Sequence, residues 1–257
     1  MTSTRSFNLV VLGLAFALAG CGGSSSSSGA LPAQSGSVRV RIVDGAPLLE
    51  ALIGGVPVDI GIAYLQVDGA TVASSFAYGT MTQFLTMSSG THSLKALDDL
   101  GYAVGPLKTT SLSSGKRYTL ILIGAYPNYR VLTFEEPANS SGAQLSLYEA
   151  SPTVPQSAFG SFQASTHSNF KQLGSAKLGE IATVSLGKSV TNFGGYAGSP
   201  AQCTASNAFR NCLTPAQVDS FDAKNALPFH VASRFSLFLF DPKAGSSVGP
   251  LFASLDR

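Results

Sequence analysis

The sequence predicts an all-β protein assembled from short strands. Residues 38–43 read VRVRIV, in which apolar and basic side chains alternate at first, as expected for a strand with one buried face. Similar strand-length apolar stretches recur through the first half and are separated by Gly, Ser, Pro or Asp. The best helix candidate, TPAQVDSFDAKNA from Thr214, has only Val218 and Phe221 as an apolar pair. Continuous apolarity in YTLILIG at 118–124 predicts a strand buried on both faces.

Residues 1–20 have the composition of a secretory signal peptide. One cation, Arg5, precedes an apolar run that ends in small residues. The run is shorter than the about 20 apolar residues that a membrane-spanning helix needs. The sequence LAGC ending at Cys21 matches the lipobox of bacterial lipoproteins. This resemblance implies that the Cys21 thiol carries a diacylglycerol and that cleavage leaves Cys21 as an acylated N-terminus; the alternative is an ordinary signal peptide followed by a chance cysteine.

The segment after the predicted cleavage site is a linker. Residues 21–36 begin with Cys21 and continue with nearly only Gly, Ser, Ala and Pro, without charges or a hydrophobic period. Such a composition is typical of a flexible tether, which would hold the folded part away from the membrane. Gly22 replaces the Asp that favours inner-membrane retention in enteric lipoproteins, so the resemblance implies outer-membrane sorting, on either side of that membrane.

Composition excludes one class of partner. The chain has 12% charged residues, a formal net charge of +2, no Trp and no block of basic residues. Nucleic-acid binding depends on clustered Lys and Arg side chains, so we expect no nucleic-acid partner.

Two pairs of segments indicate an internal repeat. SVRVRIVDGAP at 37–47 is similar to GAQLSLYEASP at 142–152, since each is a strand that leads into an acidic residue and a proline. GKRYTLILIGAY at 115–126 is similar to ASRFSLFLFDPK at 232–243. The repeat predicts two β-sandwich domains, 37–137 and 142–257, of which the second carries an insertion at 198–225.

The first half resembles a known family. VRVRIVDGAP, VPVDIGIAYLQVDG, FAYGTMTQFLTMSSGTHSLKAL and LSSGKRYTLILIGAY are similar to the DUF4397 family of bacterial envelope proteins, over about residues 37–136. The resemblance implies an immunoglobulin- or transthyretin-like β-sandwich, often found in tandem and without accepted catalytic residues. The extra length around residues 54–64 departs from the family pattern and is expected to reshape one end of the first sandwich.

The other two cysteines, Cys203 and Cys212, lie in the insertion of the second repeat. If Cys21 is lipidated, they remain as an even pair in an oxidising compartment, for which a disulfide is the default state. A metal site would need further ligands, and the nearest histidine, His230, stands alone without a C-x-x-C spacing. We therefore expect a bridge that staples the insertion, and no metal or cofactor.

The sequence contains only weak matches to catalytic motifs. GSSVG at 245–249 satisfies the G-x-S-x-G pattern of hydrolases, but it lies between two predicted strands and only Asp256 follows as an acid. A hairpin turn is the preferred interpretation. His92, His167 and His230 have no metal-binding spacing, so we expect them in solvated or edge-strand positions.

The remaining candidate functional residues are two acidic pairs and several tyrosines. Asp98-Asp99 and Glu135-Glu136 lack the pattern of a calcium loop and are interpreted as turn and strand-end charges. Tyrosine side chains combine an apolar face with a hydrogen-bonding tip and are either packing residues or a ligand-facing surface. The candidates for such a surface are Tyr64, Tyr78, Tyr102, Tyr126 and Tyr129.

Three hypotheses about function follow. The preferred one is a non-catalytic, lipid-anchored protein of the cell envelope, whose tandem sandwiches form a structural or protein-binding module. The alternative is a lipoprotein that binds a glycan or another small extracellular ligand through loops at one end of a sandwich. The remote alternative is a hydrolase. Ligand-binding residues are not assigned by the sequence.

Overall fold

Seventeen β-strands and no helix are found in the part of the chain that the computed structural model describes. The described residues are 36–61, 64–138, 142–154, 156–163, 168–185, 193–197, 234–241 and 251–256. The predicted all-β class is confirmed. The helix candidate from Thr214 and the insertion at 198–225 lie outside the described residues, as do the signal peptide and all of the linker except Gly36. The domain limits 37–137 and 142–257 stay predictions.

The first repeat contains ten strands. They are β1 Ser37–Asp44, β2 Glu50–Ile53, β3 Val56–Asp59, β4 Tyr64–Val67, β5 Ala70–Ser74, β6 Leu85–Ser88, β7 Ser93–Leu97, β8 Ala103–Lys108, β9 Arg117–Ile123 and β10 Arg130–Glu135. The second repeat contains seven described strands. They are β11 Gln144–Glu149, β12 Gln156–Gln163, β13 Ser168–Lys177, β14 Ile181–Ser185, β15 Phe193–Ala197, β16 Arg234–Leu239 and β17 Leu251–Asp256.

The strands form four main sheets and one small hairpin. In the first repeat, an inner sheet has the order β10-β9-β1-β6 and an outer sheet has the order β5-β4-β7-β8. In the second repeat, the inner sheet has the order β14-β11-β16-β17 and the outer sheet has the order β13-β12-β15. Strands β2 and β3 pair only with each other in the described part.

Turn chemistry explains the β4–β5 connection. Asp68 and Gly69 both have positive φ angles, 50° and 83°, between two antiparallel strands. Two-residue hairpin loops favour this left-handed backbone because it matches the twist of the strands, and Asp-Gly adopts it readily. The hairpin predicted from Val-Asp-Gly is therefore confirmed.

The repeated segments occupy matching places in the two inner sheets. Strand β1 pairs in parallel with β9, and β11 pairs in parallel with β16. The register agrees as well, because Arg39 lies opposite Arg117 and its counterpart Gln144 lies opposite Arg234. The sequence similarity thus corresponds to two copies of one strand arrangement.

Three apolar cores separate the four layers. One core lies between β1, β9 and the outer sheet of the first repeat, and another lies between β11, β16 and the outer sheet of the second. The third joins the two inner sheets through Val43, Ile121, Tyr148 and Phe238. Strand β9 contributes to both of its neighbouring cores, so the prediction of a strand buried on two faces is confirmed.

A buried ionic cluster crosses between the inner sheets. Arg41 of β1 contacts Glu136 at 3.1 Å, and Arg234 of β16 contacts the other oxygen of Glu136 at 3.0 Å. Burial by itself would raise the pKa of the Glu136 carboxyl, but Arg41, Thr119, Tyr148 and Arg234 outweigh burial and hold that pKa below its ordinary value. Glu136 is therefore an ionised counter-charge for two buried arginines.

Arg41 makes further polar contacts, to Thr119 within its own sheet and to side chains of the second repeat. Its Nε donates to the Thr119 hydroxyl at 2.7 Å, and Nη2 lies 3.2 Å from both the Tyr148 and the Ser236 hydroxyls. The guanidinium also lies 5.2 Å from the centre of the Phe238 ring, within range of a cation–π contact. Because Tyr148, Ser236 and Phe238 belong to the second repeat, this one side chain ties both repeats together.

We predict that Glu136→Ala lowers the free energy of unfolding by about 3–5 kcal/mol, because it leaves buried cations without their counter-charge. Chemical denaturation at pH 7 measures the loss. The matched control is Glu135→Ala at the neighbouring position, where an exposed carboxylate pairs with Lys116 at 2.5 Å. Removing that surface pair is expected to cost less than about 1 kcal/mol. Equal losses for the two variants would show that Glu136 is not a buried counter-charge.

Candidate binding site

A cleft of about 550 Å³ opens where β1 ends, on the first repeat. Its walls come from the β1 terminus and the loop after it, the end of β3, the start of β4, residues 74–78 at the end of β5 and beyond it, and the β7–β8 turn. The lining residues include Asp44, Asp59, Asp99, Tyr64 and Tyr78. The cleft thus combines acidic and aromatic groups that are far apart in the sequence.

Asp44 is fixed in place by the turn that follows β1. Its Oδ1 accepts the Ala46 N–H at 3.0 Å, and its carbonyl accepts the Gly79 N–H at 2.8 Å. Gly79 has a φ of 76°, a conformation that favours glycine. Asp44 is 1% exposed, whereas Asp59 and Asp99 are exposed, so the three carboxylates differ in their access to solvent.

The second repeat has the same turn in a different setting. Glu149 Oε1 accepts the Ser151 N–H at 3.0 Å, and the Glu149 carbonyl accepts the Gly179 N–H at 2.8 Å. Glu149 is fully buried, and its Oε2 has no hydrogen-bond partner. Burial raises the pKa of the Glu149 carboxyl to about 7, and the nearby charge of Asp241 adds to the increase.

A hairpin formed by β2 and β3 borders the cleft. Its tip contains Gly54 and Gly55, with φ angles of 58° and 88°. Three of its apolar side chains remain largely in solvent, with exposed fractions of 55% for Leu52, 60% for Val56 and 41% for Val58. The segment 54–64, for which the resemblance implies extra length relative to the family pattern, includes β3 and the hairpin tip.

Tyr129 attaches the base of the hairpin to the sandwich. Its hydroxyl accepts the Glu50 N–H at 2.8 Å and donates to the Leu48 carbonyl at 3.1 Å. Burial raises the pKa of this hydroxyl, so it stays protonated and able to donate. Ala51 is buried against the sandwich as well, which orients the hairpin while Leu52 stays outside.

A second cleft of about 380 Å³ lies on another side of the hairpin. Leu52, Pro106, Tyr126 and Tyr129 contribute to its walls. Of the five candidate tyrosines, the structure therefore brings Tyr64 and Tyr78 to the first cleft and Tyr126 and Tyr129 to the second. Tyr102 is 38% exposed and follows Leu100, which is 82% exposed, at the β7–β8 turn.

The structure gives the two acidic pairs different roles. Asp98 Oδ1 accepts the N–H groups of Leu100 and Tyr102 at 2.9 and 2.8 Å, which confirms Asp98 as a turn residue. Glu135 and Glu136 do lie at the end of β10, as predicted. The burial and ion pairing of Glu136 were not visible from its neighbours in the sequence.

The expectation that His92 is solvated or on an edge strand is wrong. His92 is 4% exposed, its Nδ1 lies 2.6 Å from Asp68 Oδ2, and its Nε2 lies 2.9 Å from the Ser88 carbonyl. The hydrogen bond from His92 lowers the pKa of Asp68. The pair links the β4–β5 turn to the end of β6, a long-range contact that local sequence patterns do not reveal.

Other predicted site residues lie outside the described part of the chain. These are the lipidation site Cys21, the cysteines Cys203 and Cys212, the motif at 245–249, and His167 and His230. Their roles stay predictions. Among the described residues, no group of three or more His, Cys, Asp or Glu side chains is arranged to hold a metal ion. The same residues include no helix long and apolar enough to cross a membrane.

Comparison with protein families gives one match, which covers the hairpin and most of the residues that line the cleft. Residues 48–157 match the model of DUF4397, a domain of unknown function. The DUF4397 match starts after β1 and ends beyond β11, the counterpart of β1 in the second repeat. It therefore spans about one repeat, shifted along the chain from the predicted extent of 37–136. A search of curated proteins gave no match.

We predict that Glu149→Gln stabilises the protein at high pH only. The carboxyl pKa rises from an ordinary 4.5 to about 7 in the folded state, so the folded state binds the proton more tightly. The free energy of unfolding therefore falls as pH rises from about 4.5 to 7, by roughly 3 kcal/mol in total. Glutamine mimics the protonated carboxyl and avoids this loss.

Denaturation of the two proteins at pH 4.5 and pH 8.5 checks this prediction. We expect the variant to gain about 2–3 kcal/mol at pH 8.5 and almost nothing at pH 4.5. Glu135→Gln is the control, because that carboxylate is about half exposed. A gain of the same size at both pH values would contradict the assignment of a buried, ionising Glu149.

Proposed function

We propose that this chain is a lipid-anchored protein of the bacterial cell envelope that acts as a non-catalytic, protein-binding module. The supporting observation is the β2–β3 hairpin of the DUF4397 segment, which carries Leu52, Val56 and Val58 with 41–60% of their surface exposed. Apolar side chains grouped on a projecting element are typical of interaction surfaces. The proposed binding surface consists of this hairpin and its adjacent clefts.

The way the hairpin is held favours a binding role. Two-stranded hairpins are marginal in isolation, so an exposed one depends on its attachment. Here the Tyr129 hydroxyl and buried Ala51 supply that attachment. Leu52 lies on the face opposite Ala51, and Val56 and Val58 lie on the Ala51 face, and all three stay exposed. Because the base of the hairpin is held in place, less conformational entropy is lost when a partner binds to its apolar side chains.

In this proposal, the buried titratable groups stabilise the packing of the fold. Arg41, Glu136 and Arg234 join the inner sheets, and His92 with Asp68 joins two connections of the first repeat. The lowered pKa values of Glu136 and Asp68 have this structural cause, so they do not support an active site.

The anchoring part of the proposal comes from the N-terminal sequence. LAGC at 18–21 has the form of a lipobox, and the Gly- and Ser-rich residues that follow would let the folded part move relative to the membrane. Acyl chains on Cys21 would provide a persistent anchor, since each buried methylene contributes about 0.8 kcal/mol. Gly22 favours the outer membrane.

A small polar ligand, such as a glycan, is the second candidate for the same end of the repeat. Tyr64 and Tyr78 lie in one cleft with the carboxylate of Asp59, and Tyr64 is 42% exposed. Aromatic faces beside hydrogen-bonding groups suit sugar rings. This candidate uses the cleft alone, whereas the protein-binding proposal uses the hairpin.

We predict that Cys21→Ala moves the protein from the membrane fraction to the soluble fraction, because the thiol that would carry the diacylglycerol is gone. Detergent-phase partitioning of cell extracts measures the change. Metabolic labelling with a fatty acid should mark the native chain and not the variant. Unchanged partitioning of the variant would contradict the lipoprotein proposal.

A photo-crosslinking amino acid at Val56 should give a discrete protein adduct in intact cells. The same group at Thr71, an exposed position on β5, is the control for random collisions. Val58→Ser in the Val56-labelled chain should reduce the adduct several-fold, because Val58 shares the face of Val56 and its loss removes apolar contact area. Equal adducts from both positions would contradict a binding role for the hairpin, and an adduct containing only glycan would favour the second candidate.

A further inference from the structure

The linker that follows Cys21 enters the fold at one end of the first repeat. The Gly36 carbonyl accepts the Ser89 N–H at 2.7 Å, just before Ser37 begins β1. The Ser37 carbonyl accepts the Gly115 N–H at 2.8 Å. These bonds hold the start of β1 between the turns that precede β7 and β9. This end of the first repeat, here called the tether end, consists of residues 36–39, 88–95 and 108–117.

The tether end carries exposed cations from three strands. Arg39 lies near the start of β1, Lys95 lies in β7, and Lys108 ends β8 opposite Ser93. All three cations are exposed, and none forms an ion pair within the described part of the chain. The Arg39 guanidinium lies 5.2 Å from the centre of the Phe84 ring, a contact that leaves its charge unpaired.

The acidic groups near the tether end already have partners. Glu135 pairs with Lys116 at 2.5 Å, and Asp68 lies 2.6 Å from the His92 ring. Glu136 is buried as the counter-charge of the arginine cluster described above. In the described part of the first repeat, the charges of Arg39, Lys95 and Lys108 therefore remain as an excess of positive charge at this end.

The opposite end of the first repeat has a different balance of charge. Beyond the β1 terminus lie Glu50 at the base of the hairpin and Asp98 and Asp99 at the β7–β8 turn, with Arg130 at the start of β10. The sign of the excess charge thus changes along the direction of the strands. An anionic surface would attract the tether end and repel the hairpin end.

The attachment point of the linker determines which end is close to a membrane. A flexible chain with the composition and length of residues 22–35 has a root-mean-square end-to-end distance of about 20 Å. The hairpin end lies farther away by the length of β1, about 26 Å for eight residues at about 3.3 Å each. Each Lys or Arg close to an anionic leaflet strengthens the attraction by about fivefold, and this attraction fades beyond a Debye length of about 8–10 Å.

We propose that the tether end rests on anionic lipid headgroups of the membrane that holds the anchor, through Arg39, Lys95 and Lys108, so that the β2–β3 hairpin points away from that membrane. The inference rests on the proposed lipid anchor and deepens the proposed function, because it directs the binding surface toward partners that lie outside the bilayer. Charge complementarity and the attachment point of the linker are the two observations that support it.

The test uses the acylated chain, purified from cell membranes and bound to vesicles of phosphatidylcholine with or without phosphatidylglycerol. The vesicles contain a lipid with a nitroxide on its headgroup, which quenches nearby fluorophores. A fluorescent amino acid is placed either at Ser111, an exposed position of the tether end, or at Val56 in the hairpin. Phosphatidylglycerol should increase quenching at Ser111 several-fold and leave Val56 nearly unquenched. Raising the salt concentration should cancel this increase, since salt screens the attraction.

The variant Arg39→Gln with Lys108→Gln removes two of the exposed cations. It should lower quenching at Ser111 to the level seen in phosphatidylcholine alone. The matched control is Arg130→Gln with Lys177→Gln, which removes two exposed cations that lie away from the tether end and should leave the quenching unchanged. Proximity of Ser111 to the linker produces some quenching in every vesicle, so the dependence on phosphatidylglycerol, salt and the two substitutions is the deciding measurement.

Quenching at Ser111 that ignores the lipid charge, the salt or the substitutions would overturn the inference, as would equal quenching at Ser111 and Val56. In those cases the chain still stays on the vesicles, so the proposed anchor stands. A chain that carries no acyl group and is lost from the vesicles would overturn the anchor and the inference together. The crosslink from Val56 tests the hairpin independently of both.

Discussion

The contact on which both repeats depend is the pairing of one buried carboxylate with two arginines. Glu136 follows the last strand of the first repeat, Arg41 lies in the first strand, and Arg234 belongs to the second repeat. An apolar interface alone would tolerate sliding of one sheet over the other. A buried charge set with directional hydrogen bonds penalises every arrangement that separates its members, so it favours one register between the inner sheets.

The internal repeat explains why this cluster contains a single arginine at its centre. Thr119 and Ser236 occupy equivalent positions of β9 and β16, and both hydroxyls contact Arg41. The counterpart of Arg41 in β11 is Ser146, which bonds to Thr183 instead. Arg234 already shares Glu136 with Arg41, so an arginine at position 146 would add a third cation around one carboxylate. Divergence between the copies at this position therefore limits the excess of positive charge in the cluster.

Sequence patterns predicted those features that depend on neighbouring residues. Alternation and continuous apolarity indicated β1 and β9, and Asp68-Gly69 indicated a hairpin, because strand faces and turn angles are set locally. Contacts between distant strands were not predictable in this way. Alternation along β1 predicts an exposed arginine at position 41, whereas Arg41 is buried. An isolated histidine in the sequence does not indicate that His92 forms a hydrogen bond with Asp68. The cleft was missed for the same reason, since its carboxylates come from separate elements.

The difference between the two copies at the end of β1 and β11 bears on function. Both copies keep the same turn, with an acidic side chain accepting an N–H two residues later. In the second copy the acid is fully buried, and Asp241 accepts the hydroxyls of Ser151 and Thr153 beside it. In the first copy the equivalent acid is also buried, with 1% exposed, but it borders an open cleft next to the β2–β3 hairpin. The turn itself is therefore a folding feature of both copies, and the proposed binding role rests on its surroundings in the first copy, namely the cleft and the exposed apolar side chains of the hairpin.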